Sequence, residues 1–292
     1  MMRVSVGVMA YNEEKNIGHL LDLLQAQELT LVRIGEICVV SSGKDRTNEI
    51  VRGEQKESSI PIRLIVEPER RGKASALNQW LGTTTENICV MCNADILPRL
   101  NSIEELSIKL LDPDVGMVGA HLIPMNDGDN FTAFCSILIY NLIHDISLTR
   151  CIMGEYVAFR HINGIPADTT TDESQIEMCV TKRYKSKIAY APDAIAFNRG
   201  PEKLSEFMKR ERRLAAGRVP MIKKYGYRAT SAPRFCVLKA IIRQRYSFKQ
   251  WLWVPCVLSL AMFCRILGYY DGLKGKKPYI WDISQTTKEV VR

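Results

Sequence analysis

The chain has 292 residues, which is enough for one large or two modest domains with a sizeable core. Its 46% hydrophobic and 25% charged residues are typical of a soluble globular protein, and its nine cysteines lack the spacing of a disulfide scaffold. The first residues, MMRVSVGVMAYNEE, lack the long apolar core and the cleavage site of a signal peptide, so we expect a cytosolic protein.

The first half of the chain alternates strand-like with helix-like segments. The strand candidates are nearly all apolar, which is typical of a parallel sheet covered on both faces. They lie at residues 4–9, 37–40, 62–66, 88–92 and 115–121, with helix candidates at 14–25, 46–56, 73–81 and 102–111. The sequence therefore predicts an α/β fold.

Polar segments follow three of these strands. They are AYNEE at residues 10–14, SSGKD at 41–45 and NAD at 93–95. Ligands of open parallel sheets bind at the carboxyl ends of the strands. We therefore expect the three polar segments to share one rim of the sheet.

The second half combines shorter elements with a helical tail. We expect a strand at 152–160, a helix at 172–184, strands at 188–191 and 194–197, and a helix at 202–216. Residues 1–232 would form one globular domain, with halves at 1–124 and 125–232, and residues 233–292 would form the tail.

The tail and the segment before it are basic and apolar. Fifteen basic and three acidic residues lie between Arg199 and Lys249, while residues 251–264 carry no charge. Because a bilayer span needs about twenty apolar residues, this segment favours a helix lying in an anionic membrane interface. A buried core helix, an oligomer contact and a true span are the alternatives.

Asn93 and Asp95 follow a buried strand two residues apart. Side chains with this spacing point the same way on extended backbone. Their oxygens suit Mg²⁺ or Mn²⁺, which is commonly held by one or two carboxylates and by substrate phosphates. Asp95 is therefore the candidate metal ligand, and the alternative is a simple turn, in which Asn and Asp are common.

Two further segments place charged side chains at predicted helix starts. Lys73, in GKASALN, stands where a helix favours anions. Asp172 and Glu173, in TTTDESQIE, belong either to a capping box with Thr170 or to a site with a general base.

Arg210 and Arg213, in KRERRLAAG, share one face of a predicted helix. Two guanidinium groups three residues apart can grip one phosphate together. The alternative is a solvated basic surface.

In this order the segments resemble the inverting family 2 glycosyltransferases. The resemblance covers roughly residues 3–217 and rests on VGVMAYNEEKNI, VVSSGKDRTNEIV, GKASALN, MCNAD, GEYVAFR, TDESQI and RERRLAAG. It implies a nucleotide-sugar-binding Rossmann-like fold, the GT-A type, with a mixed sheet flanked by helices. It also implies transfer of one sugar from a nucleotide-diphospho-sugar, with a UDP-sugar expected.

The resemblance extends to partners and site residues. The tail resembles that of members on the cytoplasmic face of the membrane, which implies a lipid-linked or glycolipid acceptor with a hydroxyl or phosphate nucleophile. Asp172 or Glu173 would be the catalytic base, and Asp95 would hold Mn²⁺ or Mg²⁺. The donor would contact Ala10, Tyr11, Asn12, Glu13, Ser41, Lys73, Asn93, Ala94, Asp95, Arg210 and Arg213.

The sequence departs from the family pattern at several positions. Ser41 stands where many members have an aspartate, and Asn93 replaces the first aspartate of the DxD element. Arg210 and Leu214 replace the glutamine and tryptophan of processive synthases, which favours addition of a single sugar.

Three other functions compete with this reading. The departures leave open a catalytically weakened scaffold subunit that binds nucleotide-sugar at the membrane. Nucleic-acid binding through the basic segment is disfavoured by the apolar residues beside it. Nucleotidyl transfer is disfavoured because no glycine-rich loop follows the first strand.

Overall fold

The computed structural model describes residues 1–230 and 233–275, so residues 276–292 of the predicted tail lie outside the described part. Within these ranges the strands are β1 (Met2–Ala10), β2 (Val32–Ser41), β3 (Ile62–Val66), β4 (Ile88–Asn93), β5 (Ile96–Pro98), β6 (Val115–Pro124), β7 (Tyr156–Arg160) and β8 (Lys187–Asn198). The helices are α1 (Ile17–Gln25), α2 (Thr47–Glu57), α3 (Lys73–Thr83), α4 (Ser102–Ile108), α5 (Phe131–Ser147), α6 (Asp172–Tyr184), α7 (Leu204–Tyr225), α8 (Arg234–Arg243) and α9 (Phe248–Leu273).

All eight strands form one mixed sheet in the order β3-β2-β1-β4-β7-β6-β8-β5. The first four strands in this order run parallel, as the apolar strands of the first half predict. β7 then runs antiparallel to both β4 and β6. The prediction of a mixed sheet flanked by helices is therefore confirmed, and β7 joins the two halves of the chain.

Alternation along the strands divides the interior into two cores. Val4, Val6 and Val8 of β1 contribute to the core that α1 covers, while Met91 of β4 and Trp80 of α3 contribute to the other. Burying side chains of this size contributes about 1.5–3 kcal/mol each relative to leaving them exposed.

Trp80 is the largest fully buried side chain among the residues that the structure describes, and it depends on a glycine in the neighbouring strand. Its indole Nε1 donates a hydrogen bond to Ser5 Oγ at 2.8 Å, and its ring meets Phe159 edge-on. The indole lies against Gly7, where an added Cβ would overlap the ring. Gly7 therefore provides the space that lets α3 approach the sheet.

Several elements, β2 among them, are longer than the sequence predicts, and β8 and α7 continue through positions where the sequence predicts an end. β8 is one strand instead of two, because an irregular register at Ala120 and His121 accommodates residues 192–194 without ending the pairing. α7 continues nine residues past the predicted end, through Pro220 to Gly226, whose left-handed φ of 63° stops the helix. The longer α7 packs along α9.

α8 and α9 complete a third core with α5 and α7. Phe134 of α5 and Phe207 of α7 are buried there with Val254 and Val257 of α9. α9 begins with a capping box formed by Ser247 and Gln250, so it starts before the predicted segment. By length and composition this helix is able to cross a membrane, but one of its faces packs against protein.

We expect Gly7→Ala to lower the free energy of unfolding by about 1–3 kcal/mol, because the added methyl group overpacks the Trp80 cavity. The matched control is Gly53→Ala, in the exposed part of α2 with open space around its Cβ, which should stabilise the helix by about 0.5–1 kcal/mol. Thermal unfolding followed by far-UV circular dichroism measures both. A wild-type melting temperature for Gly7→Ala would contradict the packing described here.

Candidate functional site

The carboxyl ends of β1, β2 and β4 lie side by side, as the sequence predicts. Ala10 is paired with Ser41 across β1 and β2, and Met9 is paired with Asn93 across β1 and β4. The three polar segments that follow these strands therefore open on one rim.

Hydrogen bonds join the segments after β1 and β2. Asn12 adopts a left-handed φ of 53°, and its Oδ1 accepts from the Lys44 amide at 3.0 Å. Asp45 accepts from the Glu14 amide at 3.0 Å and from the Thr47 hydroxyl at 2.6 Å. Burial opposes the charge on Asp45, but these hydrogen bonds outweigh it and lower the pKa of the carboxyl. The two segments therefore form one rigid wall of the rim.

The predicted donor contacts on this wall differ in exposure. Ser41 is fully buried and its Oγ accepts from the Gly43 amide, so direct contact with a ligand would require the hydroxyl to leave the core. Glu13 is also buried and accepts from the side-chain amide of Asn16 at 2.9 Å. Tyr11 is partly exposed, with the Arg70 guanidinium 4.1 Å from its ring centroid.

Asn93 ends β4, and Ala94 and Asp95 form a turn before β5. The expectation that Asn93 and Asp95 share one extended face is therefore wrong, since the backbone turns between them. Within the part of the chain that the structure describes, the buried Oδ1 of Asn93 has no hydrogen-bond partner. Burial, and then the charge of Asp95, raise the pKa of Cys92, while Lys73 lowers it. Asp95 and Lys73 thus act on the same end of β4.

Lys73 forms a buried ion cluster with the two acidic residues at the start of α6. Its Nζ lies 2.9 Å from Glu173 Oε1 and 3.7 Å from Asp172 Oδ2. The capping-box alternative is wrong, because Thr171 occupies the N-cap position and no side-chain capping hydrogen bond forms there. The acidic first turn instead faces an ammonium group from α3.

The ion cluster separates the properties of its two carboxyl groups. Burial is the main cause that raises the pKa of Asp172 to about 6, and the negative charge of Glu173 adds to it. Burial also disfavours the charged form of Glu173, but the attraction to Lys73 outweighs it and lowers the pKa of Glu173. Burial alone would lower the pKa of Lys73, yet the two carboxylates raise it.

Arg210 and Arg213 of α7 lie beside this cluster. Arg210 donates hydrogen bonds of 3.1 Å to Glu155 Oε1 and to the Tyr140 hydroxyl. Burial, and then the neighbouring Arg210, lower the pKa of Arg213 to about 10, which leaves Arg213 charged at neutral pH. Asp172 and Glu173 act in the opposite direction on Arg213, so both arginines and both carboxylates share one site.

Two residues of the site were not predicted from the sequence. Glu155, just before β7, lies inside the motif GEYVAFR, and that motif was the available signal. Tyr140 lies in the apolar helix α5, where nothing in the sequence marks it as functional. Its hydroxyl accepts from the Asn198 side chain at 2.7 Å, so it connects Arg210 to β8.

The donor atoms at the end of β4 fit a hard divalent cation. The unsatisfied Oδ1 of Asn93 and the carboxylate of Asp95 are the oxygen ligands that Mg²⁺ and Mn²⁺ prefer. In residues 1–230 and 233–275, no group of three or more His, Cys, Asp or Glu side chains could hold an ion by itself. Such an ion would therefore be shared between this chain and the phosphates of a substrate.

Known proteins similar to this chain include enzymes that use activated sugars. A dolichyl-phosphate beta-glucosyltransferase from Dictyostelium discoideum is 28% identical over 164 residues, which cover 52% of this chain and 50% of that protein. The chain therefore spans about half the length of this curated relative.

Two solved structures share the fold. A mannosyltransferase from Pyrobaculum calidifontis in complex with GDP-Man and Mn²⁺ has a TM-score of 0.59 at 24% identity, covering 94% of this chain and 81% of that one. A glucosyl-3-phosphoglycerate synthase from Mycobacterium tuberculosis with Mn²⁺, UDP and phosphoglyceric acid has a TM-score of 0.53 at 17% identity, covering 78% and 80%.

The family model described as "Glycosyl transferase family 2" matches residues 5–159. The match runs from β1 to the end of β7 and includes the rim, Lys73, Asp95 and Glu155. Because it covers more than half of the chain, this protein belongs to glycosyl transferase family 2.

Proposed function

We propose that this glycosyltransferase is metal-dependent and inverting, and that it moves one sugar from a nucleotide-diphospho-sugar to a lipid-linked acceptor. The observation that carries the proposal is the buried cluster of Lys73 and Arg213 with Asp172 and Glu173, beside which Arg210 lies. Three cations in one site suit a diphosphate, and a carboxyl group with a raised pKa suits a base.

The end of β4 would hold the metal of the donor complex. Asn93 Oδ1 and Asp95 would be its ligands from this chain, with the donor phosphates as the others. When bound, Mn²⁺ or Mg²⁺ would act as a Lewis acid that neutralises charge on the diphosphate.

Arg210 and Arg213 would stabilise the departing nucleoside diphosphate. Arg210 stays protonated, because Tyr140 and Glu155 raise its pKa although its burial acts the other way. Guanidinium groups donate several hydrogen bonds in a fixed plane, and such donors stabilise charge that develops on a leaving group. Glu155 and Tyr140 would hold Arg210 ready for this contact.

Asp172 is the better candidate for the base. Its pKa of about 6 leaves it mostly ionised at neutral pH and still able to accept a proton, whereas Glu173 is held as a charged partner of Lys73. With a hydroxyl acceptor, the proton would pass from the attacking oxygen to Asp172 as the sugar–phosphate bond breaks.

The acceptor is proposed to be a lipid phosphate or a hydroxyl group of a glycolipid. The name of the dolichyl-phosphate relative supports a phosphate. A phosphate monoester has a second pKa of about 6, so its nucleophilic oxygen is largely deprotonated at neutral pH. Asp172 would then orient the acceptor and would be less needed as a base.

We also propose that the tail attaches the enzyme to an anionic membrane surface, with the cytoplasmic face of the cell membrane as the expected location. One face of α9 is buried against protein, and the other carries exposed apolar side chains from its first turn to its last, together with Lys249 and Arg265. The exposed side chains include Phe248, Trp251, Leu252, Phe263, Ile266 and Leu273. A helix with one buried and one exposed apolar face suits a position in the plane of the membrane interface better than a membrane span. Formation of an oligomer through the exposed face is the alternative.

A catalytically weakened scaffold subunit is the second candidate. Asn93, in place of a carboxylate, is the observation that favours it. The buried charges around Lys73 and Arg210 disfavour the scaffold, because burying charged groups costs free energy and a scaffold has no evident need for them.

A donor panel tests the function as a whole. We expect UDP-, GDP- or dTDP-sugars to raise the melting temperature only with Mn²⁺ or Mg²⁺, with a UDP-sugar as the first candidate. The stabilising donor should then release its nucleoside diphosphate when membrane extract supplies the acceptor. Stabilisation without release would favour the scaffold, and no stabilisation by any donor would contradict both candidates.

The metal site predicts opposite effects for two substitutions. Asp95→Asn should weaken Mn²⁺ binding in the presence of UDP or GDP on the order of tenfold or more, because the carboxylate is lost. Asn93→Asp should tighten Mn²⁺ binding, because a second anionic ligand replaces a neutral one. Isothermal titration calorimetry measures both, with the exposed Asp22→Asn of α1 as the matched control. Unchanged Mn²⁺ affinity in both site variants would place the ion elsewhere.

The base assignment predicts a pH dependence. Transfer to a hydroxyl acceptor should fall as the pH drops through about 6, because Asp172 becomes protonated there. Asp172→Asn should lower this rate by about 10²–10⁴-fold. Glu173→Gln should move the acid limb to lower pH, because Glu173 raises the pKa of Asp172.

Rate profiles from pH 5 to 9 with separate hydroxyl and phosphate acceptors check this assignment, since the pH range brackets the value of about 6. A much smaller loss in Asp172→Asn with the phosphate acceptor would identify the phosphate as the nucleophile. An acid limb in Glu173→Gln at the wild-type position would remove Asp172 from the role of base.

A further inference from the structure

We propose that Glu211 is a positioning residue that couples contact between α9 and an anionic bilayer to the placement of Arg210. This inference rests on the proposed function, since it concerns how strongly the site grips a nucleoside diphosphate. The partner that would contact α9 is the phosphate headgroup of a lipid.

α7 and α9 are in backbone contact. A Cβ on Gly268 would overlap the carbonyl oxygen of Arg212, and a Cβ on Gly272 would crowd the carbonyl oxygen of Ala216. The same seam carries an ion pair between Arg212 and Asp271. Helices that approach this closely move together, so a displacement of α9 also displaces α7.

Glu211 lies between the site and α9. Its Oε1 is 3.9 Å from Nη1 of Arg210, and its Oε2 is 3.9 Å from Nε of Arg265. Both distances are at the outer limit of an ion pair, and the Glu211 side chain is only 6% exposed. The positive charge of Arg218 is also close enough to interact with Glu211. One buried carboxylate is therefore shared between a site arginine and an arginine of α9.

Arg265 is the α9 member of this group, and it is exposed, as is Arg218 of α7. Its side chain is 55% exposed, and the large apolar residues near it in sequence, Met262, Phe263, Ile266 and Tyr269, are exposed as well. On a surface that rests against lipid, a guanidinium in this position meets phosphate headgroups, which it binds through paired hydrogen bonds. The anionic bilayer therefore competes with Glu211 for Arg265.

The competition changes the partners of Arg210. Away from lipid, Arg265 draws Glu211 away from Arg210. Once Arg265 pairs with a headgroup, Glu211 closes on Arg210, whose other contacts are Glu155 and Tyr140. A guanidinium fixed on several sides is preorganised for the diphosphate, so we expect tighter binding of the nucleotide on the membrane.

The experiment measures nucleotide affinity with the full chain, with and without vesicles that carry no acceptor. UDP and GDP with Mn²⁺ are the probes, and the vesicles contain phosphatidylcholine with or without phosphatidylglycerol. We expect the anionic vesicles to tighten nucleoside diphosphate binding by roughly fivefold or more, as typical couplings between sites do. Neutral vesicles should have a smaller effect.

Variants separate coupling from mere attachment. Arg265→Gln should still sediment with anionic vesicles, through the other basic residues, but its nucleotide affinity should no longer respond to them. Arg243→Gln, an exposed arginine of α8, is the matched control and should respond like the wild type. Glu211→Gln should bind the nucleotide weakly and without response to the vesicles.

The outcomes distinguish this inference from the proposed function. Equal responses of Arg265→Gln and Arg243→Gln would overturn the coupling, as would a wild-type chain that binds anionic vesicles with unchanged nucleotide affinity. A chain that fails to sediment with anionic vesicles would overturn it as well. Tighter nucleotide binding on these vesicles, together with no nucleoside diphosphate release from any nucleotide-sugar when membrane extract supplies the acceptor, would support the coupling and contradict the proposed function.

Discussion

The site depends on the ion pairs between Lys73 and the acidic start of α6. Lys73 and Glu173 are 100 positions apart in the chain, and their contact joins the first helix after β3 to the helix that follows β7. A buried ammonium or carboxylate is costly without a partner, so each group fixes the position of the other. The same contact also gives the two carboxyl groups different environments, because Lys73 lies closer to Glu173 than to Asp172.

The sequence predicts those elements whose signal is local. The bounds of β3 and α6 agree with the predicted ranges of 62–66 and 172–184, since apolar spacing and flanking breakers define them within a few residues. β8 and α7 are longer than the sequence predicts, because tertiary contacts maintain them past residues that usually end a strand or a helix. Pro220 lies inside α7, where packing against α9 maintains a helix that propensity alone would stop.

Sequence order placed most charged residues of the site near one another, but it could not give their pairing. The capping-box alternative at α6 is wrong because the partner of the acidic residues, Lys73, comes from a distant helix. Tyr140 was missed for the same reason, since its role arises only where α5 meets Arg210 and Asn198. The sequence pattern singles out Asn93 and Asp95 as neighbours on one strand, yet the turn after Asn93 changes the direction in which Asp95 reaches the rim.

The third core has a consequence for how the chain can be divided. Phe134 and Phe207 belong to the part of the chain before residue 232, and their buried surfaces meet Val254 and Val257 from α9. A fragment that ends before α8 would expose these aromatic rings to water, together with the α7 backbone that Gly268 and Gly272 cover. The change in composition near residue 233 is therefore a poor place to cut the protein, because the apolar helix that follows it also forms part of the enzyme's interior.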